Sequence, residues 1–147
     1  MDTRTPASVV CSYAPHHQEP VLCLSSLNHI HGSTFLVSAG ADNGVVSVDV
    51  RALPSSSASV VGETFSSSLT TSLCPHPCVP LVAATQHGHQ TKVYSADLAT
   101  QAVARSPRLK LPVTSAAWAP GRDSQGETTG QHLLVTAGWD RVLTVWA

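Results

Sequence analysis

The sequence predicts an all-β fold assembled from copies of one antiparallel module. Three observations predict it. Two short apolar, β-branched stretches joined by a tight polar turn close the chain, as Leu133-Leu-Val-Thr-Ala-Gly-Trp-Asp-Arg-Val-Leu-Thr-Val-Trp146. The same pattern occurs earlier as Phe35-Leu-Val-Ser-Ala-Gly-Ala-Asp-Asn-Gly-Val-Val-Ser-Val-Asp-Val-Arg51, and less distinctly as Leu81-Val-Ala-Ala-Thr-Gln-His-Gly-His-Gln-Thr-Lys-Val-Tyr94. No stretch of the chain carries the apolar spacing of an amphipathic helix. Self-similarity at a period of tens of residues is the mark of a stacked, modular architecture.

In chain order, residues 7–13 are a short strand candidate, followed by a turn at Ala14-Pro15. Strands are then expected at 21–24, 35–39 and 45–50, the last two joined by Ala41-Asp-Asn-Gly44, where Asn and Gly tolerate the positive φ of a tight hairpin. These four pieces read as one meander. The order restarts after a serine-rich connector, because Ala58-Ser-Val-Val61 repeats Ala7-Ser-Val-Val10 letter for letter. Strands follow at 71–74, 81–85 and 91–95, and the third cycle places strands at 101–105, 113–119, 133–137 and 142–146. The polar stretch 121–131 reads as a surface loop. The expected organisation is one domain over 1–147, with cycles at about 8–50, 58–97 and 101–147.

Composition narrows the function classes. Apolar residues make up 42% and charged residues 12%, enough for a packed core and unlike a disordered chain. A formal net charge of −1 offers no electrostatic footprint for nucleic acid or an anionic membrane. No apolar run approaches a membrane span, and the opening Met1-Asp-Thr-Arg-Thr-Pro6 lacks the basic stretch and apolar core of a secretory signal. The four cysteines, Cys11, Cys23, Cys74 and Cys78, are therefore read as reduced thiols, with the chain expected in cytoplasm or nucleus.

The cycles resemble WD-repeat β-propellers. The resemblance rests on His17, Ser38 and Asp42 in the first cycle, with Val48 where that family usually has Trp and Asp49 completing its terminal pair. In the third cycle it rests on Thr136, Asp140 and Trp146, without a histidine in place. In the second, Tyr94 stands at the Trp position and Gly88 at the Asp position. Ala119-Pro120-Gly121 after Trp118 resembles the turn that follows an inner strand. The resemblance implies a partial propeller of about three four-stranded antiparallel blades, too few for a ring that closes with four to eight. It further implies that these side chains hydrogen-bond to hold the blade turns, and that an open arc leaves faces and edges prone to self-association.

Chemistry-bearing residue types are weighed against that frame. Repetition of Asp42 and Asp140 at matching turn positions fits architecture better than catalysis, and no Gly-x-Ser-x-Gly, phosphate-cradling loop or metalloprotease helix is present. Cys74-Pro-His-Pro-Cys78, with His87 and His89 downstream, has zinc-ligand types, yet two prolines stiffen the segment and no second Cys-x-x-Cys pair exists. Trp118 and Trp146 are expected to pack within sheets. Trp139, beside the turn aspartate, is the candidate partner contact. The expected function is a non-catalytic scaffold or adaptor that binds other proteins, without cofactor, metal, nucleic acid or membrane. The alternatives are a zinc-binding or enzymatic module on Cys74, His76 and Cys78, or a truncated product of a longer propeller.

Overall fold

The computed structural model describes residues 17–28, 34–50, 60–98, 102, 104–122 and 125–146. Among them are eleven strands and no helix long and apolar enough to cross a membrane. The strands are β1 (Val21–Asn28), β2 (Thr34–Gly40), β3 (Gly44–Asp49), β4 (Val60–Phe65), β5 (Thr70–Pro75), β6 (Leu81–Gln86), β7 (Thr91–Ser95), β8 (Ala104–Arg105), β9 (Val113–Arg122), β10 (Thr128–Gly138) and β11 (Leu143–Trp146). They form three antiparallel sheets in simple up-and-down order: β1-β2-β3-β4, β5-β6-β7-β8 and β9-β10-β11. The all-β antiparallel expectation holds at that level.

The partition of strands among sheets differs from the expected cycles by one strand. Residues 58–61 were expected to open the second module, but β4 pairs with β3 through Val45↔Thr64 and Val46↔Glu63 and completes the first sheet. Likewise the segment 101–105, expected to open the third module, supplies β8, which pairs with β7 through Val93↔Ala104 and Lys92↔Arg105. The third sheet consequently has three strands among the described residues, where four were expected. Alternating apolar residues specify that a segment is a strand; they do not specify which neighbour it bonds to. The segment 121–131 is also corrected. β9 continues through the Ala119-Pro120-Gly121 stretch to Arg122 and β10 begins at Thr128, so most of the expected loop is the tip of a long hairpin. The segment 7–13 lies outside the described residues.

The first strands of the three sheets lie side by side, β5 flanked by β1 and β9. Each carries a register shift at the same place near its start, after Val21, Thr70 and Val113. A bulge there adds twist and bends the strand where it meets its neighbour. Thr71, inside the second of these, donates its hydroxyl to the Val113 carbonyl at 2.7 Å and so ties the second sheet to the third.

Two apolar seams join the sheets. The first packs Leu27, Val37, Ala39 and Val45 of the first sheet against Leu73, Val82, Ala84 and Tyr94 of the second. The second packs Ala83 and Val93 against Leu134, with Ala116, Trp118 and Trp146 around them. Val82 and Ala84 therefore face one way and Ala83 the other, as the pleat dictates. This explains the unbroken apolar run Leu81-Val-Ala-Ala84, since a strand buried on both faces does not alternate. Each fully buried valine in these seams contributes roughly 1.5–3 kcal/mol relative to an exposed one.

Candidate functional site

The residues singled out by the repeat gather at the hairpins that join the second and third strands of each sheet. In the first, Asn43 sits at φ 63°, and its amide donates to the Gly40 carbonyl at 3.2 Å. Asp42 accepts the Gly44 amide at 2.9 Å on Oδ1 and the Gln18 amide at 2.9 Å on Oδ2. His17 Nδ1 donates to the same carboxylate, 3.1 Å from Oδ1, and its Nε2 lies 3.0 Å from Ser38 Oγ. Burial pushes the Asp42 carboxyl up, but the Gly44 and Gln18 amides and then His17 outweigh it and hold it below its ordinary value. The space is tight: a Cβ at Gly40 would stand 2.6 Å from Asp42 Oδ1 and from His17 Nδ1.

The third hairpin repeats the first. Arg141 sits at φ 63° with its amide 3.3 Å from the Gly138 carbonyl, and Asp140 Oδ1 accepts the Val142 amide at 3.1 Å. The residue before the first strand of each sheet is bonded in the same way, Ala41 N to Pro20 O at 2.9 Å and Trp139 N to Pro112 O at 3.1 Å. The Trp146 indole N–H donates to Thr136 Oγ1 at 2.9 Å, clamping β11 to β10.

The second hairpin has the same backbone without the aspartate. His89 sits at φ 71° with its amide 3.2 Å from the Gln86 carbonyl, and His87 N bonds Leu69 O at 2.8 Å. Gly88 stands at the aspartate position, and its amide is taken by Ser68 Oγ at 3.0 Å. Ser66, two residues before, occupies the place that His17 has in the first sheet, three residues ahead of the bonded carbonyl. Its hydroxyl accepts from Gln86 Nε2 and from Lys92 Nζ, the latter at 3.2 Å. Tyr94, 3% exposed, bonds through its hydroxyl to Gln86 and Ser66, and burial pushes its pKa up. Burial, with Arg105 next, pushes the Lys92 ammonium down. The expected Tyr94 thus belongs to a buried polar cluster of Ser66, Gln86 and Lys92, none of which the sequence reading singled out. Asp49 ends β3 half-buried, opposite Phe35.

Ser38, His17 and Asp42 have the order and spacing of a nucleophile, base and orienting acid. Ser38 is 7% exposed in the middle of β2, hydrogen-bonded in register between Leu24 and Val46. The Asp42 carboxylate is spent on two backbone amides as well as the imidazole. The arrangement fastens a turn to the strand before it and leaves a substrate no approach to the hydroxyl.

Cys74, His76 and Cys78 do not converge. Among the described residues no three His, Cys, Asp or Glu side chains form a group that could hold a metal. Cys74 is half-buried in β5, where burial pushes its thiol pKa up, and its carbonyl accepts the Trp118 indole N–H at 3.1 Å. His76 Nδ1 accepts the amides of Cys78 and Val79, both at 3.1 Å, so its proton is carried on Nε2 and that nitrogen has no lone pair for a metal. Its ring stands edge-on to Trp118 and to His132, each with centroids 4.6 Å away, and His132 Nε2 lies 3.9 Å from Cys78 Sγ. Burial and then His132 push the His76 pKa down. His132 is fifty-four residues from Cys78 and no local signal marks it. His89 is elsewhere, its Nδ1 3.2 Å from the Leu109 carbonyl. Cys11, His16, His29 and His31 lie outside the described residues.

Trp139 is 64% exposed at the third hairpin, and its ring stands edge-on to His87 of the second, centroids 6.3 Å apart. The two hairpins therefore present one aromatic rim. No protein-family model matches this chain, and no curated protein matches it.

Proposed function

We propose that this chain is a WD-repeat-like protein, a partial propeller of about three blades, that works as a non-catalytic interaction scaffold in an intracellular complex of cytoplasm or nucleus. The observation that carries the reading is the threefold hairpin: the same left-handed residue and the same backbone bonds at Asn43, His89 and Arg141, with a turn aspartate capping the amide that follows in the first and third. A group repeated once per sheet serves the sheet. The acid and hydroxyl chemistry is thereby consumed in holding turns, which leaves the hairpins as rigid display points. Trp139 and His87 are the groups best placed for contact, because a large exposed aromatic on a rigid rim is the side chain that most often anchors a protein interface.

The test is comparative co-purification with wild-type and Trp139→Ala chains, followed by titration of each recovered partner, purified, against both. The expected result is a partner whose affinity falls at least about tenfold with Trp139→Ala, a hot-spot-sized loss, while the melting temperature is unchanged. A partner that binds both chains equally would overturn the role of Trp139. Failure of every recovered protein to bind the purified chain would overturn the scaffold reading.

A further inference from the structure

The outward face of the third sheet continues the stacking of the other two and ends it uncovered. In the second sheet the cross-strand row Cys74–Ala83–Val93 is buried against the third sheet. The matching row of the third sheet is Ala117–Val135–Val145, and beside it runs Ser115–Ala137–Leu143. Leu134, Thr136 and Trp146 point to the second sheet, so by the pleat these six residues point away from it. Val145 is 58% exposed and Leu143 72%. No charge interrupts either row.

We propose that this face is the self-association surface of the chain, and that its occupant is the same face of a second copy related by a twofold axis. Two observations favour like-to-like packing. Leu143 and Val145 form a ridge along β11, while Ser115, Ala117 and Ala137 beside it line a shallow recess of about 210 Å³. A twofold axis seats the ridge of each copy in the recess of the other, which is the self-complementarity that an isologous interface requires. The alternative, head-to-tail stacking onto the first sheet, finds less open apolar surface, because on the far side of that sheet Ser38, Val46 and Val48 are 7%, 0% and 5% exposed and the exposed Leu24 stands on the outlying β1. Strand spacing and rise give the face a plan area of roughly 300–400 Å² per copy. Two copies together bury roughly 600–800 Å², well below the roughly 1,200–2,000 Å² of stable interfaces, so the dimer is weak and forms and dissociates with concentration. The inference is independent of the scaffold reading, since it concerns the purified chain alone.

Sedimentation velocity of the full chain from about 10 μM to 1 mM tests it. A reversible monomer–dimer equilibrium is expected. Leu143→Glu and Ser115→Lys, both at exposed positions, should each hold the chain monomeric with unchanged circular dichroism. Their equimolar mixture should recover a heterodimer, because the twofold axis sets residue 143 of one copy over the recess of the other. A monomer throughout the concentration range would overturn the proposal, as would a dimer that survives Leu143→Glu. A mixture that stays monomeric would overturn the ridge-into-recess register.

Discussion

Ser68 Oγ accepts the Gly88 amide at 3.0 Å and so ties the second hairpin to the segment before β5, as the Asp42 carboxylate ties the first to the segment before β1 through the Gln18 amide at 2.9 Å. The roles are reversed: the turn supplies the acceptor in the first sheet, and the segment between β4 and β5 supplies it in the second, while the hairpin keeps its shape. One fastening, of a hairpin to the segment that leads into its sheet, is thus made by two unrelated side chains.

This reversal makes a paired substitution informative. A Cβ at position 88 would lie 2.5 Å from Ser68 Oγ, so Gly88→Asp alone is expected to destabilise the chain by about 1–2 kcal/mol. Ser68→Gly alone leaves the Gly88 amide without its acceptor and costs about 1 kcal/mol. The double variant removes the clash and restores a turn aspartate, so it should lie closer to wild type than the sum of the two. Chemical denaturation of the four chains reads the coupling; strict additivity would mean that the two positions do not share the hairpin.

Asp42→Asn keeps the shape of the side chain and removes its charge. It weakens the bonds from Gly44, Gln18 and His17 together, at an expected cost of about 2 kcal/mol near neutral pH. The folded pKa of Asp42 lies below its ordinary 3.8, so the stabilisation is present above that value and is lost as the pH falls through the folded one. The gap between wild type and Asp42→Asn should therefore narrow as the pH falls below 3.8. Denaturation midpoints at pH 7, 5 and 3 check both parts.

His76 should make the chain acid-sensitive in a higher range. Its folded pKa is pushed below the ordinary 6.5, so the unfolded chain binds more protons as the pH drops, and stability falls on going from pH 7.5 to 5.5. Protonation also forfeits the two amides that Nδ1 accepts from Cys78 and Val79. His76→Asn offers a carbonyl oxygen in place of Nδ1 and should flatten this part of the profile. Melting temperatures of the two chains across that range decide it, with parallel profiles as the contrary outcome.

Lys92 is 8% exposed at the first seam, bonded to Ser66 and repelled by Arg105. Lys92→Met keeps the length of the side chain and is expected to stabilise the fold by about 1 kcal/mol near pH 7, because the buried ammonium is removed and Ser66 retains Gln86. Its folded pKa is lowered, so the penalty shrinks as the pH rises towards the ordinary lysine value, and the advantage of Met should shrink with it. A destabilised Lys92→Met chain at pH 7 would show that the ammonium is better satisfied than its contacts indicate.

The amino-acid sequence by itself determined that the chain is built of antiparallel strands and that three hairpins are alike. Short-range chemistry sets both: residue alternation selects the strand, and Asp42-Asn43-Gly44 or Asp140-Arg141 selects the turn. The partner of each strand, the bond from the Gly88 amide to Ser68, the clustering of Ser66, Gln86, Lys92 and Tyr94, and the approach of His132 to His76 were decided only by the tertiary structure. These contacts join residues far apart along the chain, and hydrogen-bonding backbone edges are the same in every strand. Which edges meet follows from how the two apolar seams close, and a seam is a property of three packed sheets that no single segment contains.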